Sequence, residues 1–243
     1  MTLIDKILIK FHDLLRFKKL NPPNNFVLNE SIEENKSNSN INLFKKAIDE
    51  HLELKEVIWI GIHYCLNTKG LKNEYLTVVD KNFKLICDLI EGDENSVNIP
   101  DEIKNQILDG KVLATFHNHF DGAVIPSSKD LKNTVLFLVK FLVITSENNI
   151  GIIINNYNNF DYELLKQEWI LFLTYINWLF NNDMATEIDE LYELNLNEKE
   201  LEIEEQILFN KFISLNLKKF IREFNNRMEK FNVCFLHMCI MEE

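Results

Sequence analysis

In the middle of the chain, segments with the apolar pattern of a strand alternate with segments that have the apolar spacing of a helix. Short runs rich in β-branched and aromatic residues predict strands, and these runs are residues 56–66, 74–80, 83–90, 111–119, 141–145 and 149–157. Apolar residues three or four positions apart predict helices, at residues 41–54, 100–110 and 127–141. This alternation predicts an α/β or α+β domain, with a mixed β-sheet flanked by helices.

The two ends of the chain differ from this middle part. Residues 3–15 have the spacing of an amphipathic helix, and the segment that follows is rich in Asn, Ser, Glu and Pro, which is typical of a linker. Beyond the α/β region the pattern is almost wholly helical. We therefore predict three parts: an N-terminal helix and polar linker (1–40), an α/β domain (41–160) and a helical C-terminal extension (161–243).

The net charge of the chain bears on its partners. It has 38 acidic and 26 basic residues, which gives a net charge of −12. A nucleic-acid-binding surface needs clustered Lys and Arg to displace the counterions of the phosphates. We therefore expect no nucleic-acid partner.

Cysteine usage and hydropathy predict a cytoplasmic protein. The four cysteines form no C-x-x-C pair, and a chain with 46% hydrophobic residues does not need disulfides to be stable. The N-terminal segment lacks the continuous apolar core of a signal peptide. The longest apolar run, residues 169–180, is shorter than the roughly 20 residues of a membrane span, so it predicts a buried helix.

The segment HNHFDGAVIPSSKD, residues 117–130, concentrates the candidate chemistry. Strand side chains alternate between faces, so His117 and His119 at a strand end project to the same side and are able to bind one metal ion. Asp130 lies at the start of the next predicted helix, and we expect its carboxylate to lie near this pair. Two imidazoles, a carboxylate and a water form the open tetrahedral site of catalytic zinc. The hydroxyl of Ser127 is able to donate a hydrogen bond to an oxygen that acquires negative charge during a reaction.

This segment resembles the zinc motif of the JAMM family of metallopeptidases, also called MPN or JAB. The match is His117-x-His119-x7-Ser127-x2-Asp130, with Gly and Pro at positions where the family commonly has them. The resemblance covers roughly residues 41–160. It implies a JAMM-like mixed sheet and a zinc-dependent hydrolase, because the family includes deubiquitinating isopeptidases.

The resemblance also implies a role for each residue of the motif. His117, His119 and Asp130 correspond to the zinc ligands, and Ser127 to the residue that stabilises the tetrahedral oxyanion. The family has a catalytic glutamate on an earlier strand, and Glu56 at the start of the predicted strand 56–66 corresponds to it as the general base. Two alternatives for this base remain open: they are Glu53 and Glu74.

Three functions follow as hypotheses. The first is a JAMM-type zinc metallopeptidase or isopeptidase that acts on a protein or peptide, for example a conjugate of a ubiquitin-like modifier. The second is a JAMM-like scaffold without catalysis, whose C-terminal helices bind a protein partner. The third is a RadC-like protein of DNA metabolism, and the acidic net charge counts against it.

The C-terminal segment CFLHMC offers a second set of metal-binding side chains, Cys234, His237 and Cys239. No fourth ligand lies near it in the sequence. We therefore predict an apolar segment that buries its thiols rather than a second metal site.

Overall fold

A computed structural model describes residues 46–93, 96–119, 124–126, 138–155, 162–194 and 196–240. Within these ranges the chain forms helices and one β-sheet. The strands are β1 (Tyr75–Asp80), β2 (Ile90–Glu91), β3 (Val112–Asn118), β4 (Phe141–Ser146), β5 (Asn149–Asn155) and β6 (Val233–Cys239). The helices are α1 (Leu54–Thr68), α2 (Asp101–Leu108), α3 (Tyr162–Asp183), α4 (Ala185–Glu193) and α5 (Glu198–Met228).

The six strands form a mixed sheet in the order β2-β1-β3-β4-β5-β6. Only β3 and β4 run parallel, and the other neighbours are antiparallel. The carboxyl ends of β3 and β4 therefore lie side by side at the same end of the sheet, where His119 follows β3. The predicted α+β class, a mixed sheet flanked by helices, is confirmed.

Each face of the sheet buries its own apolar core. On one face, which we call the α1 face, the apolar side of α1 packs against residues such as Phe116, Val143 and Ile152. On the other, which we call the α3–α5 face, helices α2, α3 and α5 pack against residues such as Leu76 and Ile144. Successive strand residues alternate between these two cores, as the pleat of a strand requires.

The strand predicted over residues 56–66 is wrong, because these residues form most of helix α1. Its buried positions recur every three or four residues, which is the helical period. They are Leu54, Val57, Ile58, Ile60, Gly61, Tyr64, Cys65 and Thr68. The β-branched composition of the segment concealed this spacing, because residues that favour strands are tolerated in a helix when one face is buried.

The strand predicted over residues 83–90 is also largely wrong. Only Ile90–Glu91 forms a strand, and Leu85 contributes a single bridge to Val79. The carboxylate of Asp80 accepts hydrogen bonds from the backbone N–H groups of Asn82 and Lys84. These bonds form a local turn, after which, among the described residues of this segment, only Lys84 and Ile86 form backbone hydrogen bonds back to Asp80 and Val78 of β1.

The other predicted elements fall into two groups. The strands near 74–80, 111–119, 141–145 and 149–157, the helix at 100–110 and the long C-terminal helices are confirmed within a few residues. Of the helix predicted at 41–54, residues 46–50 are helical and residue 54 begins α1. Most of the helix predicted at 127–141 and the N-terminal helix lie outside the described residues.

Helix α3 contains the apolar run at 169–180 and packs against α5, where Trp169 and Phe172 contact Phe224. Trp169, Phe172 and Ile176 are buried in the core of the α3–α5 face, as predicted for a buried helix. None of the helices in the described ranges combines the length and apolar character that crossing a membrane requires.

The C-terminal extension supplies an edge strand to the sheet. The expectation of an almost wholly helical end is wrong at residues 233–239, which pair with β5 along their whole length as strand β6. Cys234 is half-buried, and burial raises the pKa of its thiol to about 11. Cys239 is exposed, so the prediction that this segment buries its thiols does not hold for that residue.

One side chain of α5 forms hydrogen bonds to the outer edge of β6. The backbone N–H of Phe235 donates to Oδ1 of Asn225 at 2.6 Å, and Nδ2 of Asn225 donates to the Phe235 carbonyl at 3.0 Å. The amide thus reproduces one step of a β-ladder. It satisfies backbone groups that an edge strand would otherwise leave unpaired.

Replacement of Asn225 by Leu should destabilise the fold by about 1–3 kcal/mol, because two polar groups of a buried residue lose their partner. Urea denaturation measures the change. The matched control is Asn226→Leu on the exposed side of the same turn, for which we expect little change. Equal stability of the Asn225 variant and the control would contradict this role.

His237 on β6 gives the fold a defined response to acid. Burial, with a smaller contribution from Lys218, lowers the pKa of His237 from 6.5 to about 4. Between these pH values the unfolded chain binds the proton and the folded chain does not, so stability falls as the pH falls through this window.

We expect His237→Gln to remove this component of the acid sensitivity, which amounts to roughly 3 kcal/mol between pH 6.5 and pH 4. The glutamine retains an amide in place of the imidazole that lies 3.0 Å from Oδ1 of Asn149. Free energies of unfolding, compared with wild type at several pH values, measure the difference. Parallel curves for the two proteins would rule out the contribution of His237.

Candidate metal centre

Two imidazoles converge at the carboxyl end of β3. Nε2 of His117 and Nε2 of His119 lie 3.1 Å apart, with ring centroids 4.9 Å apart. His117 is fully buried and His119 is 5% exposed. The sequence prediction that strand alternation brings these two side chains together agrees with this geometry.

The spacing of the two nitrogens fits a shared metal ion. Two nitrogens bound to zinc at about 2.05 Å with a tetrahedral angle lie about 3.3 Å apart. The observed 3.1 Å separation is close to that value. A direct N–H···N hydrogen bond between the rings has a similar length, so the distance is compatible both with a metal-free pair and with metal binding after a small movement.

Strand register determines which face of the sheet carries the pair. His117 is paired with Leu76 of β1 and with Ile144 of β4, and paired residues on neighbouring strands project to the same side. Leu76 and Ile144 belong to the core of the α3–α5 face. The imidazoles therefore lie on that face, opposite helix α1.

Glu56 lies far from the histidines. It is exposed in the first turn of α1, and the buried side of that helix packs on the α1 face. The end of α1 that approaches β3 is Thr68, about 18 Å along the helix from Glu56 at 1.5 Å per residue. The structure does not bring Glu56 to His117 and His119, because the segment predicted as a strand is a helix.

Glu53 is also remote from the pair. Both of its carboxylate oxygens lie 3.0 Å from Nζ of Lys140, immediately before β4. His119 lies at the other end of that strand, since its N–H donates to the carbonyl of Thr145. The five residue steps from Lys140 to Thr145 along β4 separate the two positions by about 17 Å.

Of the three candidate bases, Glu74 is the one that immediately precedes β1, the strand paired with the histidine strand β3. Leu76 pairs with His117, so the same register continued by two residues places Glu74 opposite His119. Residues two apart on an extended strand project to one face, which is the α3–α5 face. Glu74 is 9% exposed, and its backbone N–H and carbonyl form hydrogen bonds to Asp93 and Gly92.

Asn118, between the two histidines, fixes the position of the segment that contains Glu74. Its Oδ1 accepts from the Tyr75 N–H at 2.7 Å and lies 3.5 Å from the Tyr64 hydroxyl. Its Nδ2 donates to the Asn73 carbonyl at 3.1 Å. These bonds join the end of β3 to the residues on both sides of Glu74. Sequence reasoning missed Asn118, although an amide inside a buried strand requires several partners.

Tyr64 connects this network to helix α1. Its hydroxyl donates to the Tyr75 carbonyl at 2.6 Å. Burial raises the pKa of Tyr64 well above its ordinary value, and the nearby charge of Glu74 raises it further. Tyr64 therefore stays protonated and serves as a hydrogen-bond donor from α1 to the start of β1.

Ser127 and Asp130 lie outside the described residues. The residues just before Ser127 are described, and Val124 to Pro126 are buried. Among the described residues no three His, Cys, Asp or Glu side chains form a group able to hold a metal ion, so Glu74 does not complete a three-ligand site with the histidines. The C-terminal Cys234, His237 and Cys239 form no such group either.

A cleft of about 120 Å³ borders His119. It lies between the connection from α1 to β1, including Gly70, and the turn from β4 to β5, including Ser146 and Glu147. Asn118 forms part of its wall. The cleft opens toward solvent at the carboxyl ends of β3 and β4.

The sequence matches no family model and no curated protein. The resemblance to JAMM metallopeptidases therefore remains a prediction that rests on the residues of the motif.

Proposed function

We propose that this protein is a JAMM-type zinc metallopeptidase or isopeptidase that hydrolyses an amide bond in a protein or peptide, such as a conjugate of a ubiquitin-like modifier. One observation carries the proposal: two buried imidazoles at the end of β3 have their Nε2 atoms 3.1 Å apart. The spacing of the motif in the sequence supports the same function.

His117 and His119 would hold the zinc ion through their Nε2 atoms, and Asp130 would be the third ligand. Zinc at such a site supplies Lewis acidity, which acidifies water and polarises a carbonyl group. The burial of both imidazoles supports tight binding, since it excludes bulk water from the ligands.

We assign the general base to Glu74 in place of Glu56. A general base must lie within reach of the proton that it accepts, and the register of β1 and β3 supports Glu74 as a neighbour of His119. The Glu74 carboxylate takes a proton from the attacking water and returns it to the leaving amine. Ser127 donates its hydroxyl hydrogen to the carbonyl oxygen that gains negative charge.

The scaffold hypothesis has one observation in its favour. Leu164, Leu171 and Trp178 are exposed and lie seven residues apart along α3, so they share one side of that helix. Such a row of apolar side chains is typical of a protein contact. The same row of side chains would also suit an enzyme that recruits a protein substrate. We therefore rank the scaffold hypothesis second.

Purified wild-type protein should contain about one zinc ion per chain after reconstitution, and His117→Ala and Asp130→Ala should each lose most of it. Elemental mass spectrometry measures the content. His63→Ala is the matched control, because His63 lies on α1 away from the pair. A folded wild-type protein without zinc would remove the basis for the peptidase and favour the scaffold.

Glu74→Gln should reduce the turnover of a cleavable conjugate by about 10²–10⁴-fold while zinc content stays at the wild-type level, because only proton transfer is lost. Glu56→Gln is the control and should retain full turnover, since Glu56 is exposed on the opposite face. Quenched peptides and ubiquitin-like conjugates serve as substrates. The reverse result, with Glu56→Gln inactive and Glu74→Gln active, would restore the original assignment of the base.

A further inference from the structure

One side of helix α5 faces away from the core along most of its length. The buried side of this helix carries Phe212, Phe220 and Phe224, each at most 1% exposed. The opposite side carries exposed residues at intervals of three or four positions, which is the spacing of one helix face. We call this row the outer stripe of α5, and its members are Glu200, Glu204, Ile207, Lys211, Leu215, Lys218 and Arg222.

The outer stripe includes two apolar side chains that the rest of the chain leaves uncovered. Ile207 is 55% exposed and Leu215 is 73% exposed. They lie about two helical turns apart, on the same side as the charged residues of the stripe. Ile203 beside them is 49% exposed. Apolar side chains in such a row are typical of a surface that packs against another helix.

The charges of α5 are divided between its two halves. Residues 198–205 contain five acidic residues and one basic residue, whereas residues 211–222 contain four basic residues and no acidic one. The helix dipole favours this order of charges only within the first and last turns. Lys211 and Lys218 lie well before the end of the helix at Met228, so the dipole does not account for their positions.

The charged side chains of the outer stripe are not used in ion pairs within the described part of the chain. Among the described residues, the ion pair of α5 joins Arg227 to Glu223 at 2.7 Å, beyond the stripe. Glu204 and Lys218 are fourteen residues apart, which is about 21 Å along the helix, so they do not reach each other in one chain. Their charges are therefore able to pair with a second molecule.

A second copy of α5 in the antiparallel direction is complementary to the outer stripe. Placing Glu204 of one chain opposite Lys218 of the other fixes the alignment of the two helices, and a two-fold axis repeats every contact. Helices packed side by side lie about 8–10 Å apart, which these side chains are long enough to span. The three pairs of this alignment are Glu200–Arg222, Glu204–Lys218 and Ile207–Leu215.

We propose that this protein forms a homodimer in which the outer stripes of two α5 helices pack antiparallel across a two-fold axis. A parallel pair would bring the two acidic halves together and the two basic halves together, which is repulsive. Charge complementarity thus favours both a second copy as the occupant and the direction in which it binds. The inference is independent of the proposed zinc site.

The two-fold axis of this dimer passes Lys211, which lies opposite its own copy. The two lysines have like charges, although their long side chains are able to direct the ammonium groups to solvent. Replacement of Lys211 by Gln removes the repulsion. We therefore expect Lys211→Gln to dimerise more tightly than wild type.

The experiment measures self-association of the full chain by sedimentation equilibrium at low and high salt. Wild type should dimerise, with a dissociation constant that rises with salt because exposed ion pairs are screened. Glu204→Lys and Lys218→Glu should each weaken the dimer about tenfold, since both copies of the pair become like-charged. Glu200 is left unchanged, because its carboxylate accepts a hydrogen bond from the Asn197 N–H at the start of the helix.

Reversing both charges should restore the dimer. The double variant Glu204→Lys/Lys218→Glu, and an equimolar mixture of the two single variants, should each dimerise about as tightly as wild type. Leu215→Gln should weaken the dimer at both salt concentrations, because it removes an apolar contact. The matched control is Glu190→Lys, which makes the same charge change at an exposed position of α4 and should leave the dimer unchanged.

Three results would overturn the proposal. The first is a wild-type chain that stays monomeric at every concentration, which would mean that another partner or solvent covers the stripe. The second is dimerisation of Glu204→Lys and Lys218→Glu at the wild-type level. The third is a double variant that stays monomeric while its circular dichroism matches that of the folded wild type. A weaker dimer of Lys211→Gln would contradict the alignment in the same way.

Discussion

The side-chain amide of Asn118 is the interaction on which the candidate centre depends. It lies between two histidines in the sequence and projects to the opposite face, where it binds the backbone on both sides of Glu74. A buried amide is costly unless its donors and acceptors are satisfied. The partners of this amide therefore hold β3 and the start of β1 in one register, and the proposal of Glu74 as general base rests on that register.

The sheet was largely predictable from the sequence, because its strands are short apolar runs between turn residues. Helix α1 was not, because its β-branched residues favour a strand while only the spacing of its buried side favours a helix. This misassignment put Glu56 on a predicted strand, whereas it lies in the first turn of α1. The histidine pair was predictable because strand alternation is local. The proposal of Glu74 as base required the pairing of β1 with β3, a contact between distant parts of the chain.

The C-terminal helices complete the same structure that contains the histidines. Helices α3 and α5 cover the face that carries the imidazoles, and β6 extends the sheet beyond β5. The apolar core of that face thus includes residues that the sequence pattern assigned to a separate extension. The sequence could not reveal this, since the apolar side of a long helix does not identify the surface on which it packs.

The late position of β6 in the chain has a consequence for synthesis. The strand begins at Val233, long after its partner β5 ends at Asn155. Until the ribosome has released β6, the apolar residues of β5 border an open sheet edge that other nascent chains are able to join. Pairing between such distant segments is also slow, so the newly made chain passes through an interval in which protection by chaperones favours correct assembly over aggregation.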